Sequence, residues 1–85
     1  MTFRFSKHVV EELDNRKIPR RLVEQVLRSP EQKFPELEDI TCYQSRVEIS
    51  GKQYLLRAMV NEALNPPVVV TVYRSSKISK YWRKP

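Results

Sequence analysis

Glycine occurs once in this 85-residue chain, at Gly51, so no glycine-rich loop is available to cradle a phosphate with main-chain amides. Cysteine and histidine are as scarce, with Cys42 and His8 the single copies of each. One thiol excludes an intramolecular disulfide, and one thiol with one imidazole falls short of a zinc set, so neither metal nor cofactor is expected. No apolar run comes near the ~20 residues of a membrane span, and Met1 to Lys7 holds no apolar signal core. A cytoplasmic protein with no membrane partner is therefore expected. There is also no Ser-His-acid set at a workable spacing. A chain of this length is read as one domain, residues 1–85, which buries only about 60% of its unfolded surface. Its stability must come from packing.

Positive charge is what the chain has in quantity. Sixteen Lys and Arg stand against ten Asp and Glu, a formal net charge of +6 with a pI near 9.8. The acids Glu36, Glu38 and Asp39 gather in mid-chain, while cations dominate Arg16 to Arg28 and the C-terminal end. Such a balance fits attraction to a polyanion, and equally a solvated basic surface. The densest β-branched run, Pro67 to Tyr73, reads as a strand at the middle of a sheet. It runs into a stretch without acids, where five Lys or Arg between Arg74 and Lys84 are interleaved with Tyr81 and Trp82. Cations among aromatics point to a phosphate-bearing partner, nucleic acid first.

Taken in order, Thr2 to Phe5 predicts a short strand with Phe3 and Phe5 on one face. Ser6 is placed to cap a helix over Lys7 to Arg16, with Val9, Val10 and Leu13 on its apolar side. Glu11 and Glu12 are expected in its first turn, on different sides, suiting the helix dipole. Ile18-Pro19 opens a second helix with Leu22, Val23, Val26 and Leu27 as its stripe, ending at Ser29 before Pro30. Glu31 to Asp39, with Pro35 and many acids, is expected to be an extended connection with little regular structure, at most a short strand near Phe34. Thr41 to Ile49 and Gln53 to Asn61 predict a hairpin around Ser50-Gly51-Lys52. On its second strand Tyr54, Leu56, Ala58 and Val60 share one face, and Leu55, Arg57 and Met59 the other. On the last strand strict alternation sets Val68, Val70 and Val72 against Val69, Thr71 and Tyr73. The fold class is α+β, in the order βααβββ: two helices over one face of a small antiparallel meander, the other face free.

Certain segments resemble a known family. They are Phe5-Ser6-Lys7-His8, Arg16-Lys17-Ile18, Val26 to Gln32, and Val69 to Lys77 with Tyr81-Trp82. The chain is similar to a small family of unknown function grouped with the RelE/ParE-type toxins, over nearly its whole length. The resemblance implies a RelE-like sheet with a concave face, as in metal-independent ribonucleases that cut RNA, and with it RNA or the ribosome and an antitoxin protein as partners. It also places polar groups at His8, Arg57, Thr71 and Lys77.

Metal-free RNA cleavage needs a base for the 2′-hydroxyl, cations for the phosphorane and an acid for the leaving oxygen. His8, whose side chain ordinarily titrates near pH ~6.5, is the acid or base candidate, or else a polar residue packed at a helix start. Arg57 is a candidate phosphate clamp, with an ion pair to Glu48 across the hairpin as the other reading. Thr71 and Lys77 complete the candidate catalytic set, with Tyr73 as a further hydroxyl on the same strand. Arg16, Arg20, Arg74, Lys80, Tyr81 and Arg83 are the candidate nucleic-acid contacts, and Trp82 is expected to close the core. The other function open to the chain is a non-catalytic module of the same fold that binds RNA, a ribosome or a protein.

Overall fold

The computed structural model describes residues 2–84; Met1 and Pro85, the two ends of the expected domain, lie outside the described residues. Strand β1 (Arg4–Phe5) leads into helices α1 (Lys7–Asn15) and α2 (Arg20–Arg28), then strands β2 (Gln32–Leu37), β3 (Ile40–Ile49), β4 (Lys52–Asn61) and β5 (Val68–Ser75), and a short helix α3 (Ile78–Tyr81). The class is α+β. Ser6 caps α1 as expected, its hydroxyl accepting from Val9 N at 3.1 Å. The far end of α1 closes with Lys17 at φ 53°, the Ile18 amide donating to Leu13 O at 2.9 Å and the Lys17 amide to Asp14 O at 3.3 Å. That is a left-handed helix stop of the Schellman kind, made by a lysine in a position that favours glycine. Glu11 and Glu12, expected in the first turn, fall in the second because α1 starts at Lys7, which leaves the first without an acid.

The sheet runs β1-β5-β4-β3-β2, so β4, not β5, is its middle strand. β1 pairs with β5 in parallel and the remaining pairs are antiparallel, which makes the sheet mixed rather than a pure meander. Within Glu31 to Asp39, expected to be an extended connection with at most a short strand near Phe34, a full strand of six residues forms, Gln32–Leu37, held against β3 from Gln32↔Gln44 to Leu37↔Ile40. Pro35 is tolerated because β2 is an edge strand, whose outer side needs no amide. Ser50 and Gly51, at φ 53° and 78°, turn β3 into β4, the doubly left-handed geometry that matches strand twist. The faces of β4 fall as the alternation predicts. Those of β5 do not: Met59 pairs with Thr71 and Val60 with Val69, so Val70 is an inserted bulge residue. Val69 and Val72 therefore both point into the core beneath the helices.

That core joins Val9 and Leu13 of α1 and Val23 and Val26 of α2 to Leu56, Val60, Val69 and Val72 of the sheet. Burial of these side chains at about 1.5–3 kcal/mol each is the main favourable term holding the helices to the sheet. The opposite face is not free. After β5 the chain doubles back and lays α3, Trp82 and Arg83 across it, with Tyr81 O accepting from Gln44 Nε2 at 3.2 Å and Arg83 O from Gln32 Nε2 at 2.5 Å. Trp82 stays partly exposed under the Arg46 guanidinium and is not part of the core, because the core lies on the other side of the sheet. Among the described residues no helix is long and apolar enough to cross a membrane, and no three His, Cys, Asp or Glu side chains gather as a metal ion would require.

Candidate functional site

The candidate catalytic residues separate into two groups and an outlier. His8 and Glu12 of α1 and Arg16 at its C-cap stand one turn apart, and the nearly buried Glu12 carboxylate joins them: His8 Nε2 lies 3.3 Å and Arg16 Nη2 3.1 Å from Glu12 Oε2. The same carboxylate accepts from the Thr71 hydroxyl at 2.9 Å and from the Val72 amide at 3.1 Å, while Arg16 Nη1 donates to Val72 O at 3.2 Å. β1 leaves β5 after Phe5↔Val69, so the side chains of α1 take up the main-chain groups of Val72 that a longer β1 would have met. His8 is 68% exposed and Glu12 8%, an arrangement that holds one ring nitrogen and leaves most of the imidazole in solvent.

Arg57 lies on the other face, 5% exposed. Its Nε donates to Gln44 Oε1 at 2.8 Å and its Nη1 to the Tyr73 hydroxyl. The Tyr81 ring covers it, with Cζ 4.5 Å from the centroid, and its nearest carboxylate is Glu36 at 3.8 Å. Glu48, expected as its ion-pair partner, sits opposite Gln53 instead, four residues along β3 from Gln44, which pairs with Arg57. Gln44 is fully buried and anchors the assembly, donating to Gln32 Oε1 at 2.7 Å as well as to Tyr81 O. Cys42 shares this layer, its Sγ 3.7 Å from Gln44 Oε1, and burial pushes its thiol pKa up, with Arg57 pulling the other way. A buried guanidinium bonded in this way is stabilised by its partners and is closed to a phosphate. Lys77 is the outlier: exposed in the turn before α3, its amide donates to Ser75 Oγ.

The candidate nucleic-acid contacts also divide. Lys80, Tyr81 and Arg83 meet on the face that carries the C-terminal segment. There Arg83 lies over Phe34 at 4.0 Å, Arg46 over Trp82 at 4.5 Å, and Lys80 Nζ 5.2 Å from the Tyr81 ring. Arg46 is also held in a two-bond fork by Glu31, at 3.2 and 2.8 Å, which lowers the Glu31 pKa. Arg74 lies over Tyr54 on the helix side, Arg16 at the outer edge of β5, and Arg20 over Phe5 beneath α2. Among the described residues Arg74, Lys77, Lys80 and Arg83 take part in no ion pair.

The model of the family described as Domain of unknown function (DUF4258) matches residues 5–74. The chain belongs to this family. The DUF4258 region takes in both long helices and nearly all of the sheet, and the C-terminal segment that covers Arg57 lies beyond it. No curated protein and no solved structure matches the chain.

Glu12 and Gln44, central to these clusters, and Glu62, at a third, receive no site role from the sequence. Glu12 could have been found from the His8, Glu12, Arg16 spacing, which stacks three chargeable groups on one helical line. Gln44 offered only its place in an apolar strand, opposite Arg57. Glu62, in the loop after β4, offered no local sign. It accepts from the Tyr43 hydroxyl and, at 2.8 Å, from the Thr41 hydroxyl, with Lys33 Nζ 3.4 Å away. The Tyr43 hydrogen bond, aided by Thr41 and Lys33, holds the Glu62 carboxyl below its usual range, while burial and then Glu62 raise the Tyr43 pKa.

Proposed function

We propose that this DUF4258 domain binds single-stranded RNA, without cutting it, on the face carried by its C-terminal segment. The observation that supports this reading is the alternation of cations and rings over that face: Arg83 on Phe34, Arg46 on Trp82, Lys80 beside Tyr81. Rings give bases a sequence-tolerant surface, each stack being worth about 1–3 kcal/mol, and unpaired cations follow the backbone. The resemblance of its sequence segments to RelE/ParE-type toxins favours RNA as the polyanion. Catalysis is disfavoured by the distribution of its candidates, since Arg57 is sealed beneath Tyr81 while His8 and Thr71 meet at Glu12.

A second reading, a metal-independent endoribonuclease, draws on one observation: a mostly exposed imidazole held by a carboxylate with Arg16 alongside. One experiment separates the two. The purified protein is titrated into labelled single-stranded RNA over a salt series, and the same RNA is incubated in EDTA and sized. Intact RNA is expected, with affinity lowered by Trp82→Ala and Arg83→Ala and unchanged by His8→Ala, and a salt slope that shrinks by about 0.7 for each phosphate no longer neutralised. Cut RNA whose yield collapses with His8→Ala would establish the second reading, and RNA that neither binds nor is cut would refute both.

A further inference from the structure

On the helix side of the sheet, where α2 passes over the first residues of the chain, a cavity of about 570 Å³ opens to solvent. Its size falls within the range of small-molecule sites. Phe3, Phe5 and Tyr43 supply its rings, and Arg20, Arg28 and Lys33 its cations, with Glu24 the one carboxylate on its wall. Phe3 meets Tyr43 edge to face at 5.7 Å and 87°, and both Phe3 and Phe5 are only half-buried. The aromatic floor thus draws on Phe3 just before β1, Phe5 within it and Tyr43 of β3.

The cations are held but not consumed. Arg20 Cζ sits 4.0 Å from the centre of the Phe5 ring, and its ion pair with Glu24 is 3.5 Å long with both side chains about half-exposed. A pair of that kind is worth only a few tenths of a kcal/mol and gives way readily to a phosphate. Lys33 Nζ is positioned 4.8 Å from the Tyr43 ring centre and 3.4 Å from Glu62. Arg28, in the last turn of α2, has no ion-pair partner among the described residues.

Three rings beside three cations match a planar base joined to a phosphate. We propose that this cavity binds a nucleoside monophosphate, either free or as the terminal nucleotide of a strand. The base lies on Phe3, Glu24 accepts from its amino group or from the ribose hydroxyls, and Arg20, kept in place over Phe5, takes the phosphate together with Arg28 and Lys33. The site is on the opposite side of the sheet from the RNA face and does not depend on it.

The test is a titration followed by amide ¹H–¹⁵N spectra, with AMP, adenosine and inorganic phosphate each added to the full chain. AMP is expected to shift the amides of Phe3, Phe5, Arg20, Arg28 and Lys33 and to bind at least about tenfold more tightly than adenosine or phosphate alone. Arg20→Ala and Arg28→Ala, both at exposed positions, are each expected to weaken AMP about tenfold while leaving the melting temperature in place. A 5′-phosphorylated oligonucleotide that binds these residues more tightly than AMP, while its 5′-hydroxyl form does not, identifies a strand end as the source. Equal or weaker binding identifies the free nucleotide. The proposal is overturned if millimolar AMP leaves these amides unmoved, if phosphate alone shifts them as far, or if the shifts fall only on Phe34, Trp82 and Arg83. The last result would leave the RNA face standing alone.

Discussion

Gln44 illustrates how much one neutral side chain can control. It is fully buried and accepts from Arg57 while donating to Gln32 and to the main chain of Tyr81. Gln44→Leu keeps the bulk, removes the acceptor and strands Arg57 Nε away from water, so a loss of about 1–3 kcal/mol in urea unfolding is expected. Glu62 yields a prediction in pH. Its folded-state carboxyl titrates below its ordinary 4.5, so it contributes stability that is complete above that value and is lost as the pH falls through the lower one. Between about pH 5 and pH 3 the melting temperature of Glu62→Gln should therefore fall less steeply than that of the parent.

At the scale of elements, two left-handed positions predict changes of opposite sign. Gly51 has φ 78°, and a Cβ there would touch nothing, so Gly51→Ala tests backbone strain alone and is expected to cost about 1–2 kcal/mol. Lys17, at φ 53°, has the converse problem, and Lys17→Gly should stabilise the end of α1 by up to about 1 kcal/mol in the same assay. These turns also mark what the sequence made legible. Ser6, Pro30 and Ser50-Gly51 act through local backbone preference, and the boundaries they announce agree with the structure to within a residue or two. β2 was hidden because Pro35, Glu36 and Glu38 oppose strand formation locally, and it forms through its register with β3. The bulge at Val70 has no marker in a run of valines, and alternation read past it turned the first residues of β5 to the wrong side. The candidate site was legible as residue types, and Arg57 was assigned to the correct face of β4. Its separation from His8 and Thr71 was not, since it depends on where α1 meets β5 and on where the chain returns after Ser75.

Over the whole molecule, positive charge lies on both sides of a body 19 Å through its thinnest direction. General attraction to polyanions should therefore respond to charge wherever it stands, while specific binding should not. Arg21→Glu on α2 and Arg83→Glu on the C-terminal segment are expected to shorten retention on a heparin column by similar amounts. Only Arg83→Glu should lower affinity for single-stranded RNA by about tenfold or more, as measured by fluorescence anisotropy.

The grip of Glu12 and Arg16 on Val72 has a meaning beyond the site. Past Val69 the outer border of β5 would otherwise present bare amides and carbonyls to any strand in solution, an invitation to chain-to-chain pairing and aggregation. Glu12 of α1 and Arg16 at its C-cap occupy the Val72 positions and act as a false strand that cannot be extended. At the far border, Pro35 and its charged neighbours protect β2 by other means. Glu12→Ala, which leaves Val72 unoccupied, should convert a stable stock into one that binds thioflavin T on storage, and the rate at which it does so measures how far a helix has been keeping other copies of the chain away.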